Sequence, residues 1–369
     1  MSLSHLLSRL AASVGRPIDV LGVGECSQDL VLRLPAGVAL DRPLPEKLCA
    51  AELVVLGGGQ IATALVAARR LGRSAAFCGA VGDDAIGREV LAELGREGVL
   101  TPCVRVCAGA TTRSAVLLVD AAGERVVLEV RHPALGPGEA APDEHLVATA
   151  RTLHVDGTFP AASLAAARLA RRHGTLVSVD LDRPFPGVEE LLELADVCAV
   201  SASFPEQLFG ETGEQAALRL RERAAQAQVV LVTRGERGCL LVGEAPGPSE
   251  RASTAVPAGP RLRAVPAFVP PLLRDTTACG DTFHAALLVA LLRRADAPAA
   301  PALPPLLQHE HDEETLLQLV RFAQAAAALK CRDLGRRGCP WLDEVTAFLR
   351  AAPEPAGEAR AAREPGPAG

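Results

Sequence analysis

Along this chain, short runs of unbroken apolar residues alternate with longer stretches whose apolar positions recur every three or four residues. DVLGVGE (19–25), AAFCGAVG (75–82), LHVDG (153–157), LVSVDL (176–181), VCAVS (197–201) and VVLVTRG (229–235) have the length and composition of buried strands. Between them, QIATALVAARRLG (60–72), AIGREVLAELGREGV (85–99) and the segments 162–173, 188–195 and 214–227 carry the helical period. Strand and helix in alternation predict right-handed βαβ units and a parallel sheet covered on both faces. Residues 29–56 depart from this, with short alternating stretches punctuated by Pro35, Pro43 and Pro45. TTRSAVLLVD (111–120) and ERVVLEV (124–130) read as a hairpin, and 239–268 as short strands around a Pro/Gly/Ser loop. Helices are expected again at 280–294, 313–330 and 342–351, the first two separated by the Pro/Ala-rich ADAPAAPALPPLLQ (295–308). The organisation expected is an N-terminal extension over 1–18, one large domain over 19–350, and a disordered tail over 351–369 that lacks apolar periodicity.

Composition narrows the partners. The formal net charge is -6, so the broad basic surface of a general nucleic-acid binder is not expected. There is no Tyr, one Trp and nine Phe, which leaves recognition to hydrogen bonds and backbone groups rather than aromatic platforms. The ten cysteines form no CxxC pair and read as small buried hydrophobes in a reducing compartment. The first residues suit an amphipathic helix better than a signal peptide, and no apolar run reaches membrane-spanning length. The cytoplasm is the expected compartment, with no membrane partner.

The most informative stretch is RDTTACGDTF (274–283), which runs into the apolar helix HAALLVALL. Small residues stand just before a helix, and Asp281 lies inside its first turn. A helix N-terminus offers unpaired N–H groups to a phosphate, and small side chains let the backbone approach it. A carboxylate beside a transferring phosphoryl group is the expected base for an attacking hydroxyl. An ordinary capped helix is the alternative reading of the same spacing.

DTTACGDTF is similar to the DTTGAGDTF-type signature of the ribokinase-like (PfkB) carbohydrate kinases, and further matches fall in the family's order. GECSQD (24–29) resembles its first strand, ending in a sugar-binding Asp. GGQIATAL (58–65) with Leu71-Gly72 resembles its GGNxxNxA…LG element. VGDD (81–84) with Gly87, TRGERG (233–238) and the helix VRFAQAAAALK (320–330) resemble its VGxDxxG turn, its nucleotide turn and the helix beside its adenine pocket. The resemblance covers roughly 18–350. It implies a doubly wound, mostly parallel α/β sheet flanked by helices, with a small β-sheet lid from about 29–56 and 104–131. It also implies ATP-dependent phosphorylation of a sugar hydroxyl, and pairing of two copies through the lid.

Position by position, the resemblance implies Asp281 as catalytic base and Ala278, Cys279 and Gly280 as the anion hole. It implies Asp29, Gly58, Gly59 and Thr63 at the sugar, and Thr233, Gly235, Gly238 and Gln324 at the ATP. Glu206, in SFPE, is implied as a water-mediated Mg2+ residue, and Asp275 and Thr277 as a monovalent-cation (K+) site. From its position in TTRSAV, Arg113 is a candidate to reach the substrate from the small sheet; a solvated strand arginine is the other reading. Asp156, Asp180, Arg131, His132 and His284 are weighed in the same way against capping, surface and packing roles.

Some positions depart from the signature. Ala278 stands where it has Gly, which costs roughly 1 kcal/mol if that residue needs a positive φ. Cys279, near a helix N-terminus, is either an acidified thiol or a slightly larger Ala. Ser203 replaces the Asn of NxxE, and Gln60 and Thr63 replace the two Asn of GGNxxN, so ribose is not assumed as the substrate. The motif style looks nearest to kinases of fructose-like or modified ketoses. A nucleoside or sugar-phosphate kinase of the same fold, and a catalytically weakened sugar-binding regulator, remain the alternatives.

Overall fold

The computed structural model describes residues 2–121, 125–136, 142–243, 261–296 and 312–351. Thirteen strands are found among them: β1 (Ile18–Val23), β2 (Ser27–Arg33), β3 (Glu52–Gly58), β4 (Ala75–Gly82), β5 (Leu100–Cys107), β6 (Ser114–Val119), β7 (Arg125–Val130), β8 (Ala150–Val155), β9 (Leu176–Leu181), β10 (Val197–Ser201), β11 (Val229–Thr233), β12 (Cys239–Val242) and β13 (Leu262–Val265). Nine form one sheet in the order β13-β12-β11-β10-β9-β8-β1-β4-β5. Its pairings are parallel from β11 through to β5, and antiparallel only where β12 and β13 extend the edge.

Every residue of β4, β8 and β9 is buried, as two covered faces require. One face carries a core built with the helices Gln60–Arg70, Cys279–Asp296 and Asp312–Lys330, and the other a core built with Pro160–His173 and Val188–Leu194. Of the extension expected over 1–18, the described residues pack onto the domain. Ser2 caps the helix Leu3–Ala12, whose Leu3, Leu6 and Leu10 are buried in the first core. The order in which strands are added reverses at β1, which lies between β8 and β4, so the C-terminal ends of β1 and β8 flank the crevice where open α/β sheets bind ligands.

The second sheet has the order β3-β2-β6-β7, with β2 and β6 parallel and the outer pairs antiparallel. It is the expected lid with one correction. Residues 104–107 belong to β5, at the edge of the large sheet, where one side faces solvent and mimics the alternation of a lid strand. The register divides the lid into two unlike faces. Leu30, Leu32, Leu53, Val55, Val116, Leu118, Val126 and Leu128 are cross-strand neighbours on one face, with Leu53, Val55, Val126 and Leu128 exposed. Asp29, Ala115 and Glu129 line up on the other, which also carries Arg125 and the buried Val31, Leu117 and Val119. The interrupting loop at 244–260, most of the Pro/Ala-rich stretch (297–311) and the tail from 352 lie outside the described residues.

Candidate active site

The bend before the helix Cys279–Asp296 is fastened from behind, because Arg274 and Asp275 both donate backbone N–H groups to the Cys331 carbonyl (2.8 and 3.2 Å). Ala278 then turns with φ 66°, the sole non-glycine residue with positive φ among those described. The strain, about 1 kcal/mol, is therefore real here. The Ala278 carbonyl accepts from the Thr282 N–H (3.0 Å) and hydroxyl (2.7 Å), which fixes the first turn. That turn presents backbone N–H groups that the helix itself has no carbonyl to satisfy. A Cβ on Gly280 would meet nothing within 4 Å, so the bend opens onto free space.

Asp281 stands in this turn, half-buried. Burial pushes its carboxyl up to about 7; Arg125 opposes that rise, and Asp29 and Asp156 add to it. Arg125 was not singled out by sequence reasoning, where it is one charge among several in a polar strand. It crosses from β7 to donate Nη1 to the Thr276 hydroxyl (2.9 Å), which puts a guanidinium beside the bend that precedes Asp281. One turn further, buried His284 has Nε2 3.1 Å from Asp180 Oδ1. Burial lowers the pKa of His284 and raises that of Asp180, which Asp281 raises further, so this pair resists charge and serves to seat the helix on the end of β9.

Asp29 meets the same centre from the lid. Its carboxylate accepts from the Ser27 hydroxyl (2.8 Å) and lies so close to Gly58 that a Cβ there would fall 2.0 Å from Oδ2. Gly59 needs its missing side chain for two reasons: φ is 90°, and a Cβ would sit 2.6 Å from the Cys26 Cα. Asp156 is a bolt at the switch point, accepting from the backbone of Glu25 and Thr158 (both 2.8 Å). Beside these residues lies a cavity of about 190 Å3, lined by Glu25, Arg113, Arg131, His132, Thr158 and Phe159 among others. Arg113 bridges Glu25 and Glu129 (both 2.6 Å), and Arg131 reaches the same two acids (3.0 and 3.1 Å). Glu25, which sequence reasoning passed over inside GECSQD, is buried enough that its carboxyl is pushed up to about 8 despite both arginines. Thr63 is buried in the helix behind the glycines and is not among the residues lining this cavity.

The expected nucleotide residues gather at the ends of β11 and β12. Thr233 closes β11, and Gly235 and Gly238 both have positive φ; a Cβ on Gly238 would lie 2.0 Å from the Val265 carbonyl. Gln324 is turned into the packing instead. It is buried, and its amide nitrogen donates to the Val265 carbonyl (2.9 Å), tying its helix to β13. Glu206 accepts from the Gly213 N–H (3.1 Å), and no cluster of three or more metal-binding side chains occurs among the described residues. That bond uses one of the two Glu206 carboxylate oxygens, and a lone carboxylate fits Mg2+, which keeps its waters and is held largely by substrate phosphates. At Asp275, expected with Thr277 to hold a monovalent cation, the Lys330 ammonium donates to the backbone carbonyl (2.9 Å) and to the carboxylate (3.3 Å). Cys279 is not acidified: its thiol, 3.3 Å from the Cys331 sulfur, is raised by that contact and by burial.

A family model described as pfkB family carbohydrate kinase matches residues 19–342. Fructokinase-1 of Oryza sativa subsp. japonica is 28% identical over 339 residues, covering 87% of this chain and 94% of that protein. Ribokinase of Mus musculus is 29% identical over 285 residues, covering 73% and 80%. Among solved structures, Arabidopsis thaliana ribokinase complexed with ribose and ATP superposes with a TM-score of 0.67 at 23% identity, over 91% of this chain and 99% of that one.

Proposed function

This chain belongs to the pfkB family of carbohydrate kinases, and from that premise we propose that Asp281 deprotonates a hydroxyl of a fructose-like sugar as it attacks the γ-phosphorus of ATP. The reaction class is ATP-dependent phosphorylation of a sugar. One observation carries the assignment: a half-buried carboxyl in the first turn of a helix, beside an anion-binding bend, within electrostatic reach of Asp29 at Gly58.

In the proposed reaction the sugar lies between Asp29 and the Glu25–Arg113–Arg131 cavity, with one hydroxyl turned towards Asp281. The hydroxyl oxygen bonds to phosphorus, its proton passes to the Asp281 carboxylate, and the bond to the ADP oxygen breaks. The N–H groups of the first helical turn and the Arg125 guanidinium face the charge that spreads over the phosphoryl oxygens. When bound, Mg2+ neutralises phosphate charge, with Glu206 as the residue to face it through water.

The choice of sugar follows from size and charge. About 190 Å3 is small beside drug-sized pockets, and Arg113 and Arg131 are already engaged by Glu25 and Glu129, which supports a small polyol that binds by hydrogen bonds. ADP release in the presence of Mg2+ tests this across fructose, ribose, adenosine, a ketose phosphate and a sulfonated ketose. Fructose is expected to give the highest kcat/KM; preference for adenosine or a charged ketose overturns the substrate assignment, and nucleotide binding without turnover on any of them overturns the enzyme.

We also place two copies face to face through the lid, since four exposed aliphatics and their cross-strand neighbours form a continuous apolar face. Light scattering is expected to give a dimer mass, and Leu53→Lys with Leu128→Lys to give a monomer. A wild-type monomer at micromolar concentration rules the arrangement out. No described helix is long and apolar enough to cross a membrane. All ten cysteines are free thiols, which supports a reducing cytoplasm as the compartment.

A further inference from the structure

The bend that carries the anion hole is held by a lysine where the resemblance implies a metal ion. Lys330 is the last residue of the helix Asp312–Lys330, and its side chain is wholly buried. Its ammonium donates to the Asp275 carbonyl (2.9 Å), the Asp275 carboxylate (3.3 Å) and the Asp333 carbonyl (3.0 Å). Three donors meet three acceptors, so the charge is fully satisfied in a place that water does not reach. Asp275 is equally buried, and its carboxylate joins the bend to the turn beyond the helix: Oδ1 accepts from the Thr277 N–H (2.8 Å) and Oδ2 from the Gly335 N–H (2.7 Å).

Two carbonyls and a carboxylate converging on one point are the ligands a desolvated monovalent cation takes. An ammonium group has the charge of K+ and nearly its size. Both cannot share these oxygens, because a second positive charge at that point would be repelled by the first. We propose that the Lys330 ammonium is a built-in cation that sets the Asp275–Gly280 bend, and that the enzyme therefore works without K+. This inference rests on the anion-hole reading of residues 278–280. Lys330 is then a positioning residue. It does not touch the transferred phosphoryl group; it draws Asp275 and its carbonyl towards the end of the neighbouring helix, and so fixes the strained turn at Ala278 from which the first helical N–H groups project. A tethered cation does not dissociate, so the bend stays formed whatever the ionic composition.

The test uses the full-length protein and two readouts. For the wild type, both Tm of the nucleotide-free protein and sugar-dependent ADP release are expected to be the same in NaCl and KCl at equal ionic strength. Lys330→Ala, which removes the ammonium and leaves room for an ion, is expected to lower Tm and to reduce kcat on the order of tenfold to a hundredfold. Adding K+ or NH4+, but not Li+, is expected to restore both. A wild type whose Tm or rate rises with K+ overturns the proposal, and that result stands even if the variant does not fold. A folded Lys330→Ala that neither ion restores overturns it as well, leaving the lysine a packing group. The Tm arm needs no turnover, so ion rescue of stability in an inactive protein would indict the kinase assignment and not this one.

Discussion

Asp281→Asn is expected to lower kcat on the order of 10²–10⁴-fold while leaving the fold and nucleotide binding in place. The substitution keeps the size and hydrogen-bonding reach of the side chain and removes only its capacity to take a proton. The pH profile makes the expectation specific. A base works only when deprotonated, and burial has pushed the Asp281 carboxyl up to about 7. In the wild type kcat/KM should therefore climb as pH rises towards 7 and level off above it, and the residual rate of the Asn variant should lack that limb. Stability gives an independent check. Because the folded pKa lies above the unfolded value, the protonated carboxyl contributes stability at low pH that is lost as pH rises through about 7. Asparagine does not titrate, so the Tm of the variant should gain on the wild type over that same window. Turnover close to wild type in a purified, folded Asp281→Asn, or an unchanged acid limb, would remove Asp281 from the mechanism.

The signals around Asp281 are local, but small residues, a helix start and a carboxylate leave an ordinary capped helix open; it is the resemblance of DTTACGDTF to a family signature that singles the acid out. The large sheet is legible without that resemblance, since strands buried on both faces leave apolar runs that polar loops cannot imitate. What escapes is what depends on distant pairing. Lys330 is the last letter of an alanine-rich helix, and its function appears only when folding brings it to Asp275, fifty-five positions earlier. Glu25 sits in a motif read for Asp29, and the two arginines that hold it stand just before β6 and just after β7. Gln324 points the other way: the resemblance implies a place for it at the nucleotide, yet its amide donor is taken by the Val265 carbonyl. Ends of elements fail for a related reason. The helix expected over 214–227 stops at Arg223 without a glycine, because Arg221 supplies guanidinium donors to the carbonyls of Ala224, Ala225 and Ala227 (2.7–2.8 Å).

Arg125→Gln is the second substitution expected to cost catalysis heavily, on the order of 10²–10³ in kcat, comparable with losing one preorganised donor of an oxyanion site. The guanidinium comes from a lid strand, on the face that also bears Asp29 and Glu129, and spends one of its five N–H donors on Thr276. It is thus a cation carried to the bend before Asp281 by the same sheet that presents Asp29, and closing that sheet on a sugar would bring both at once. Its charge is also the strongest influence holding the Asp281 carboxyl down against burial. Two readouts should consequently move together. Removing Arg125 withdraws positive charge from the developing phosphoryl oxygens, which lowers kcat, and lets Asp281 bind its proton more tightly, which shifts the acid limb of kcat/KM to higher pH. Arg125→Lys keeps the charge and loses the planar fork, so it should hold the limb near its wild-type position while recovering only part of the rate. Thr276→Val separates this from a mere tether: it removes the hydroxyl that Arg125 bonds but leaves the charge, and should preserve the limb. An Arg125→Gln enzyme with wild-type kcat and an unmoved limb would reduce the arginine to a lid contact.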